Sequence, residues 1–401
     1  MGSAGHFRLT IRDLPSIREV TWIPYRVPLP SSFTSAHEEL ATRSGVIIEI
    51  QTNTGSIGSG ECAPLPEFSG GTLQDVLTCL PTLALQLRDQ TLPAALKHLA
   101  QLHGTLPTTA ICGVETAILD ALGRHYRCSL ATLLALPTLD EAPTTHALEL
   151  ASSQIRHTIA VNTVIGSQTL DAAVERARQA VAQGYSCIKL KVGPQLRQTI
   201  ELIAAVRTTI GPTVHLRLDA NEAWDFELAR SILSACEQWA IQYVEQPLPR
   251  SDLAGMAALR QAVTIPIAAD EVLSDLASAR RVLEAEAATI FIIKPQLAGG
   301  LRQSQQMIRE ANARGVQCVI TSTIEAGIGV ASALHVAAAT PQLTLECGLA
   351  TLPMLADDLI QETLSIQHGH IQVPSTPGLG VHTDPAALTK WRFKEPPSGD
   401  N

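Results

Sequence analysis

The chain has 401 residues, of which 45% are hydrophobic and 17% are charged, and its formal net charge is −9. This length and apolar content are enough for two domains with a large core. The negative charge, without basic clusters, disfavours nucleic acid and anionic membrane surfaces as partners. No apolar run reaches the roughly 18 residues of a membrane span, and the N-terminus lacks an export signal. We therefore expect a cytoplasmic protein that binds a small molecule, and a homo-oligomer is compatible with this composition.

The cysteines give a second constraint on the class of protein. Eight of them are scattered through mostly apolar segments without a CxxC pair. This distribution favours buried, reduced thiols over disulfides or a zinc site. They are Cys62, Cys79, Cys112, Cys128, Cys187, Cys236, Cys318 and Cys347.

The N-terminal third is predicted to form a separate α+β domain. Residues 1–19 show no clear periodicity, and we expect them to be partly disordered. From Val20 to about Ala63, β-rich stretches alternate with turn signals, which predicts antiparallel strands. Helical patterning follows, and strands followed by helices predict an α+β domain over residues 20–150.

From about residue 159, short apolar runs alternate with helical patterns. Eight such strand-plus-helix units are typical of a TIM-type β/α barrel. We therefore predict an α/β fold with the barrel at 151–362, a return to the first domain at 363–390 and a polar tail at 391–401. The predicted strands are Ile159–Ile165, Cys187–Val192, Val214–Leu218, Gln242–Val244, Ile265–Ala269, Thr289–Ile293, Gln317–Thr321 and Leu343–Leu345.

Three acids stand where consecutive predicted strands end, namely Asp219, Glu245 and Asp270. Their spacing of about 25 residues matches one strand-plus-helix unit, so they converge at the mouth of the barrel. Convergent carboxylates repel one another unless a cation neutralises them, and oxygen ligands favour Mg²⁺, with Mn²⁺ as a substitute, over zinc. Each acid taken singly is better explained as a solvated strand-end carboxylate, and it is the periodic set of three that favours a metal site. Glu271 is placed to orient a metal ligand or a lysine from outside the ligand set.

Three lysines stand at the same end of the predicted barrel. Lys189 and Lys191 lie two residues apart on the second strand and face one side together, and Lys294 ends the sixth strand. A lysine beside a second ammonium and a metal has a lowered pKa and can remove a proton from carbon. The metal would hold the substrate carboxylate and stabilise the enediolate formed when the α-proton leaves. The alternative is a structural metal site in a non-catalytic barrel, which does not require these lysines.

These residues resemble the enolase superfamily, and in particular its muconate-cycloisomerase-like subgroup, over about residues 20–383. The resemblance implies that Asp219, Glu245 and Asp270 bind Mg²⁺. It also implies that Lys191 is the base, Lys189 its partner, and Lys294 a cation near the opposite face of the substrate. Residues 20–150 and the C-terminal return would form a capping domain. The motifs that carry the resemblance are Ile188-Lys-Leu-Lys191, Asp219-Ala-Asn221, Glu245-Gln-Pro-Leu248, Asp270-Glu271 and Lys294-Pro-Gln-Leu-Ala-Gly-Gly300.

Within this subgroup, the stretches 60–69, 161–165, 348–351 and 355–359 look most like the o-succinylbenzoate synthases. That likeness implies dehydration of 2-succinyl-6-hydroxy-2,4-cyclohexadiene-1-carboxylate to o-succinylbenzoate, a lyase step of menaquinone and phylloquinone biosynthesis. Lys191 would remove the α-proton and then help hydroxide leave as water. We expect substrate contacts at Asn221, Ser322, Thr323 and Gly348, although Ser322 and Thr323 are equally explained as caps of the next helix.

Other activities of the subgroup remain alternatives. An N-acylamino-acid racemase or dipeptide epimerase would use Lys191 and Lys294 as acid and base on opposite faces, and a muconate-type cycloisomerase is a third alternative. Similar dipeptide epimerases hold the substrate ammonium with an Asp-x-Asp pair where this chain has Cys347-Gly-Leu-Ala350, so we expect no such anchor. Mandelate-racemase-like members use a histidine where Thr321-Ser-Thr323 stands. The segment Pro30–Arg43 is expected to be a mobile loop that closes over the substrate.

Overall fold

The structure is a computed structural model and describes residues 14–34, 39–65, 70–166 and 169–393. The strands in this part of the chain are β1 (Ile17–Thr34), β2 (Glu39–Thr52), β3 (Ile57–Cys62), β4 (Thr158–Ala160), β5 (Thr163–Ile165), β6 (Cys187–Lys191), β7 (His215–Asp219), β8 (Ile241–Glu245), β9 (Ile267–Ala269), β10 (Ile290–Ile293), β11 (Gln317–Ile320), β12 (Ile366–Gln367) and β13 (His370–Gln372). The α-helices are α1 (Leu73–Leu87), α2 (Leu92–Gln101), α3 (Thr108–Tyr126), α4 (Leu130–Leu134), α5 (Thr145–Ser152), α6 (Leu170–Ala182), α7 (Leu196–Ile210), α8 (Phe226–Cys236), α9 (Leu253–Ala262), α10 (Leu276–Glu284), α11 (Pro295–Ala298), α12 (Leu301–Asn312), α13 (Gly327–Ala338) and α14 (Pro385–Trp391). Two 3₁₀ turns lie at Glu237–Trp239 and Leu352–Met354.

The predicted α+β capping domain is confirmed as an antiparallel sheet, in the order β1-β2-β3, packed against α3. Residues 17–19, predicted to belong to a disordered segment, begin β1, whereas residues 1–13 lie outside the described residues. The predicted loop Pro30–Arg43 is instead the end of a long β1–β2 hairpin, and its residues 35–38 lie outside the described part of the chain. Strand pairing explains the difference, because Thr42 still pairs with Pro28 across the hairpin.

Two glycines let β3 and α3 approach closely. A Cβ atom at Gly58 would lie 2.1 Å from the carbonyl oxygen of Ala117, and one at Gly60 would lie 1.9 Å from that of Gly113. Backbone atoms of α3 cannot move aside as a flexible side chain can. Glycine at these positions therefore fixes the distance between the sheet and the helix.

We expect Gly60→Ala to destabilise the protein by about 1–3 kcal/mol, because the added methyl group overpacks a buried backbone contact. Gly166→Ala is the control, since no described atom beyond its chain neighbours lies within 4 Å of the Cβ position there. Urea unfolding measures both variants. Equal unfolding midpoints would contradict the close β3–α3 contact.

The predicted barrel is confirmed in seven parallel strands, in the order β5-β6-β7-β8-β9-β10-β11. Features of the local sequence explain where its helices begin and how they pack. Asp225 accepts a hydrogen bond of 2.9 Å from the backbone N–H of Leu228 and so caps the start of α8. On α6 the residues that face the barrel recur at helical spacing, and their small side chains allow close packing. They are Ala173, Ala177 and Ala180.

The eighth strand was predicted at Leu343–Leu345, and this prediction is wrong. The backbone N–H of Leu343 donates to the carbonyl oxygen of Thr340 at 3.1 Å, so this residue lies in a turn, and the Arg156 guanidinium binds the carbonyl oxygen of Leu343 at 2.9 Å. Isolated parallel bridges from Cys347 to Val161 and from Gly348 to Thr321 join the two edges of the sheet instead.

The ends of the predicted barrel also differ in detail from the sequence-based expectation. The first predicted strand is split, because β4 pairs with β13 and β5 alone joins the barrel. After the eighth position the chain forms a 3₁₀ turn at Leu352–Met354. Helix α14 packs against β1, and Arg392 forms a bridge with Tyr25, whereas residues 394–401 lie outside the described residues.

The cysteines and the lengths of the helices are two further features of the structure. All eight cysteines are free, and six of them are buried, as expected for reduced thiols. Among the described residues, no helix has the length and apolar character needed to cross a membrane.

Candidate active site

The register of the parallel strands brings the predicted acids together. Lys191 pairs with Asp219, Asp219 with Glu245, and Glu245 with Ala268. Asp270 follows Ala268 by two residues, which places it on the same face of the sheet. The three acids are buried, with exposed fractions of 2%, 1% and 4% for Asp219, Glu245 and Asp270. The strand ends thus concentrate three carboxylates at one end of the barrel.

Two of the predicted lysines contact these acids directly. The Nζ atom of Lys189 lies 3.0 Å from Oδ2 of Asp219 and 3.0 Å from Oε1 of Glu245. The ammonium of Lys294 forms an ion pair with Asp270. The structure therefore brings the acids and these two lysines into one buried cluster.

The neighbours of the two β6 lysines shift their pKa values in opposite directions. Burial acts to lower the pKa of Lys189, but the carboxylates of Asp219 and Glu245 outweigh it and raise that pKa well above its ordinary value. Burial lowers the pKa of Lys191, the charge of Lys189 adds to the effect, and Asp219 opposes it only partly. Lys189 is thus held as a cation, and Lys191 gives up its proton more readily than an ordinary lysine.

Glu271 extends the acidic cluster. Its Oε1 atom accepts a hydrogen bond of 3.0 Å from Nδ2 of Asn221, while Oε2 is buried without a hydrogen-bond partner among the described residues. Burial, followed by the charges of Asp270 and Asp219, raises the pKa of Glu271 to about 8. A buried carboxylate oxygen without a donor beside other acids is a place where an added cation is stabilising.

This donor set fits Mg²⁺ in its chemistry, because a hard divalent cation prefers carboxylate oxygens. The described residues contain no preformed group of three acidic, histidine or cysteine side chains at metal-binding geometry. Instead, Lys189 bridges Asp219 and Glu245, and Lys294 contacts Asp270. Metal binding would therefore require these two ammonium groups to give way to the cation.

A cleft of about 1610 Å³ opens beside the cluster. Lys191 and Asn221 lie in its lining, together with Glu222, Ala350 and Leu352. The arrangement places one lysine of the site on a cavity that is large enough for a small carboxylic acid.

The other predicted substrate contacts, Ser322, Thr323 and Gly348, are not among the residues that line this cleft, and they stay predictions. The hydroxyl of Ser322 hydrogen-bonds that of Thr351 at 2.7 Å, and the hydroxyl of Thr323 donates to Oε1 of Glu325 at 2.8 Å. A Cβ atom at Gly348 would lie 2.3 Å from Oγ1 of Thr321, so Gly348 packs against the chain that follows β11.

Gln246, which was not predicted as a site residue, holds Asp270 in position. The Oε1 atom of Gln246 accepts a hydrogen bond of 3.1 Å from the backbone N–H of Asp270, and its Nε2 donates to the carbonyl oxygen of Leu248 at 2.9 Å. This links the end of β8 to the end of β9. The motif Glu245-Gln-Pro contained the signal, since a polar side chain beside a strand-end acid can hold a neighbouring strand.

Known protein families match both the barrel and the N-terminal part of the chain. The family described as Enolase C-terminal domain-like matches residues 172–387, and the family described as MenC, N-terminal domain, matches residues 17–99. An o-succinylbenzoate synthase of Thermobifida fusca (strain YX) is 33% identical over 241 residues, which cover 58% of this chain and 74% of the relative. A chloromuconate cycloisomerase of Pseudomonas putida is 28% identical over 386 residues, covering 95% of this chain and 96% of the relative.

Solved structures also match. A substrate-liganded complex of the L-Ala-D/L-Glu epimerase from Bacillus subtilis has a TM-score of 0.82 and 27% identity, and the match covers 91% of this chain and 98% of that chain. Dipeptide epimerases with this fold have been solved in complex with Mg. The family match over residues 172–387 spans more than half of the chain and includes every predicted acid and lysine. The protein therefore belongs to the enolase superfamily.

Proposed function

We propose that the protein dehydrates 2-succinyl-6-hydroxy-2,4-cyclohexadiene-1-carboxylate to o-succinylbenzoate, a step of menaquinone and phylloquinone biosynthesis. The observation that carries this proposal is the position of Lys191 on the cleft wall beside the buried acids. Lys191 lines the cleft, burial lowers its pKa, and Lys189 and Lys294 contact the acids. The likeness to the synthase from T. fusca and the match to the MenC N-terminal domain support the choice of substrate.

Each acid and lysine of the cluster has its own role in the proposed reaction. Asp219, Glu245 and Asp270 would hold Mg²⁺, for which Mn²⁺ is a substitute, and the bound ion would supply positive charge to the substrate carboxylate. Lys191 takes the α-proton from carbon, with Lys189 as its charged neighbour. The protonated Lys191 then donates to the departing hydroxyl group, which leaves as water as the ring becomes aromatic. Lys294 stabilises the negative charge that develops on the substrate.

A racemase or epimerase acting on N-acylated amino acids or dipeptides is the second candidate. It is favoured by the position of Lys294, which ends the sixth barrel strand and can face a substrate from the side opposite Lys191. In sequence, the B. subtilis epimerase is 28% identical over 88% of this chain, whereas the match to the synthase covers 58%. A muconate-type cycloisomerase would use the same groups and is supported by the likeness to the P. putida enzyme.

Purified protein with Mg²⁺ should be assayed on the cyclohexadiene carboxylate and on a panel of N-acylamino acids. We expect dehydration of the first compound well above the uncatalysed rate. Efficient racemisation of N-acylamino acids without dehydration would overturn the proposal in favour of the second candidate. Both activities together would indicate one site that accepts two substrate classes.

A further inference from the structure

A buried cation that the proposed reaction does not use lies inside the barrel. Arg217 has an exposed fraction of 0%, and it points into the barrel because it precedes Asp219 by two residues on β7. Its Nη2 atom lies 2.9 Å from Oε2 of Glu346, and its Nη1 atom donates to the backbone carbonyl oxygen of Glu346 at 2.8 Å. The guanidinium thus binds one residue through both its side chain and its backbone.

Other groups around Arg217 complete its environment. Its Nε donates to Oε1 of Gln242 at 2.6 Å, and Nη1 also donates to Oδ1 of Asn162 at 3.1 Å. The guanidinium carbon lies 4.8 Å from the ring centroid of Tyr243, at the distance of a cation–π contact. From the third barrel strand, Arg217 therefore contacts a residue beside the first strand, two residues on the fourth strand and Glu346 at the eighth position.

Glu346 is equally well held on its other side. Its Oε1 atom lies 2.8 Å from Nδ1 of His215 and accepts a hydrogen bond of 3.3 Å from the hydroxyl of Ser186. The pair with Arg217 is therefore a buried ion pair in which both partners have several hydrogen bonds. Removing one partner of such a pair leaves an uncompensated buried charge.

The position of Glu346 in the chain gives this pair its significance. Glu346 immediately precedes Cys347 and Gly348, where the barrel is joined by isolated bridges rather than by a strand. By contrast, β6 and β7 share five consecutive register pairs. A few residues beyond Gly348, Ala350 and Leu352 form part of the cleft wall.

We propose that Arg217 and Glu346 form an internal brace that takes the place of the missing eighth strand and positions the cleft wall. Both are positioning residues, since neither lies among the residues that line the cleft. The brace holds the start of the segment 346–352, and the direction of that segment sets the width of the cleft beside Lys191. The inference rests on the proposed function only for the choice of substrate in the kinetic test.

Glu346→Gln is the most informative variant, because it keeps the shape and one carbonyl oxygen while removing the charge that faces Arg217. We expect faster amide hydrogen exchange over residues 345–352 and 160–163, with unchanged exchange over β9 and β10, which Arg217 does not contact in the hydrogen bonds given above. We also expect KM to rise about tenfold, because the displaced cleft wall loses part of its contact with the substrate, with kcat within about twofold of wild type because Lys191 and the acids are not moved. Arg217→Lys keeps the charge but not the planar fork and should give an intermediate effect on both measurements.

Arg280→Gln serves as the control, since it removes an exposed ion pair with Glu310 and should change neither measurement. Unchanged exchange over residues 345–352 in Glu346→Gln would overturn the brace, and so would a fall in kcat without a change in KM. If Glu346→Gln does not fold, Arg217→Lys provides the same two measurements. Because hydrogen exchange needs no substrate, it tests the brace even if the dehydration proposal fails.

Discussion

Replacing Lys191 by arginine should lower kcat for dehydration by about 10²–10⁴-fold, the contribution of a positioned general base. Arginine keeps the positive charge but does not lose its proton in proteins, so it cannot accept the α-proton. Lys294→Arg should lower kcat by only about tenfold, or about 1.4 kcal/mol in the barrier, because a retained charge still stabilises the developing negative charge. Steady-state rates at saturating substrate and Mg²⁺ measure both variants.

The same two variants separate a dehydratase from a racemase. In a racemase both lysines exchange protons with the substrate, so Lys294→Arg would stop racemisation. It would still permit α-deuterium exchange on the enantiomer that presents its proton to Lys191. Equal losses of dehydration in Lys191→Arg and Lys294→Arg would argue against Lys191 as the single base.

Glu245→Gln should weaken Mg²⁺ binding by at least about 100-fold, because it removes a charged metal ligand and even groups outside the ligand set affect affinity by 10–100-fold. It also removes one of the two carboxylates that hold the ammonium of Lys189, at 3.0 Å. Glutamine has nearly the same shape, so the fold should be retained by circular dichroism. Calorimetric titration with Mg²⁺ measures the affinity, and turnover should be lost in parallel.

Glu284→Gln is the matched control, since this exposed acid on α10 lies outside the cluster and its loss should leave Mg²⁺ affinity unchanged. The wild-type protein should also need Mg²⁺ for turnover. Turnover at the full rate in excess chelator, with metal-free protein confirmed, would contradict a catalytic role for the cation.

The strand-end acids could be predicted from the sequence because their spacing equals the length of one strand-plus-helix unit. Parallel register then brings any residues at the ends of such units together, as it does for Asp219 and Glu245. The eighth strand could not be predicted in the same way. The apolar residues Leu343 and Leu345 have the pattern of a strand, whereas Leu343 lies in a turn that Arg156, 187 residues earlier in the chain, contacts at its carbonyl oxygen.

The hydrogen-bond partners of side chains at the site also could not be predicted from the sequence pattern. Thr323 follows a barrel strand as a substrate contact would, yet its hydroxyl is bound by Glu325, two residues along the chain. Arg217 stands between Leu216 and Leu218 on β7, and its ionic partner Glu346 is 129 residues away. Periodicity identifies which residues share a face, but it does not identify partners at such separations.

The proposed reaction requires that Lys191 removes the α-proton of a metal-bound carboxylate. Single-turnover dehydration of the cyclohexadiene carboxylate, with hydrogen or deuterium at the α-carbon, tests it most directly because product release does not limit the rate. We expect a rate that requires Mg²⁺, falls on deuteration and drops by about 10²–10⁴-fold in Lys191→Arg. A Mg²⁺-dependent rate in Lys191→Arg within about threefold of the wild-type rate would contradict this mechanism.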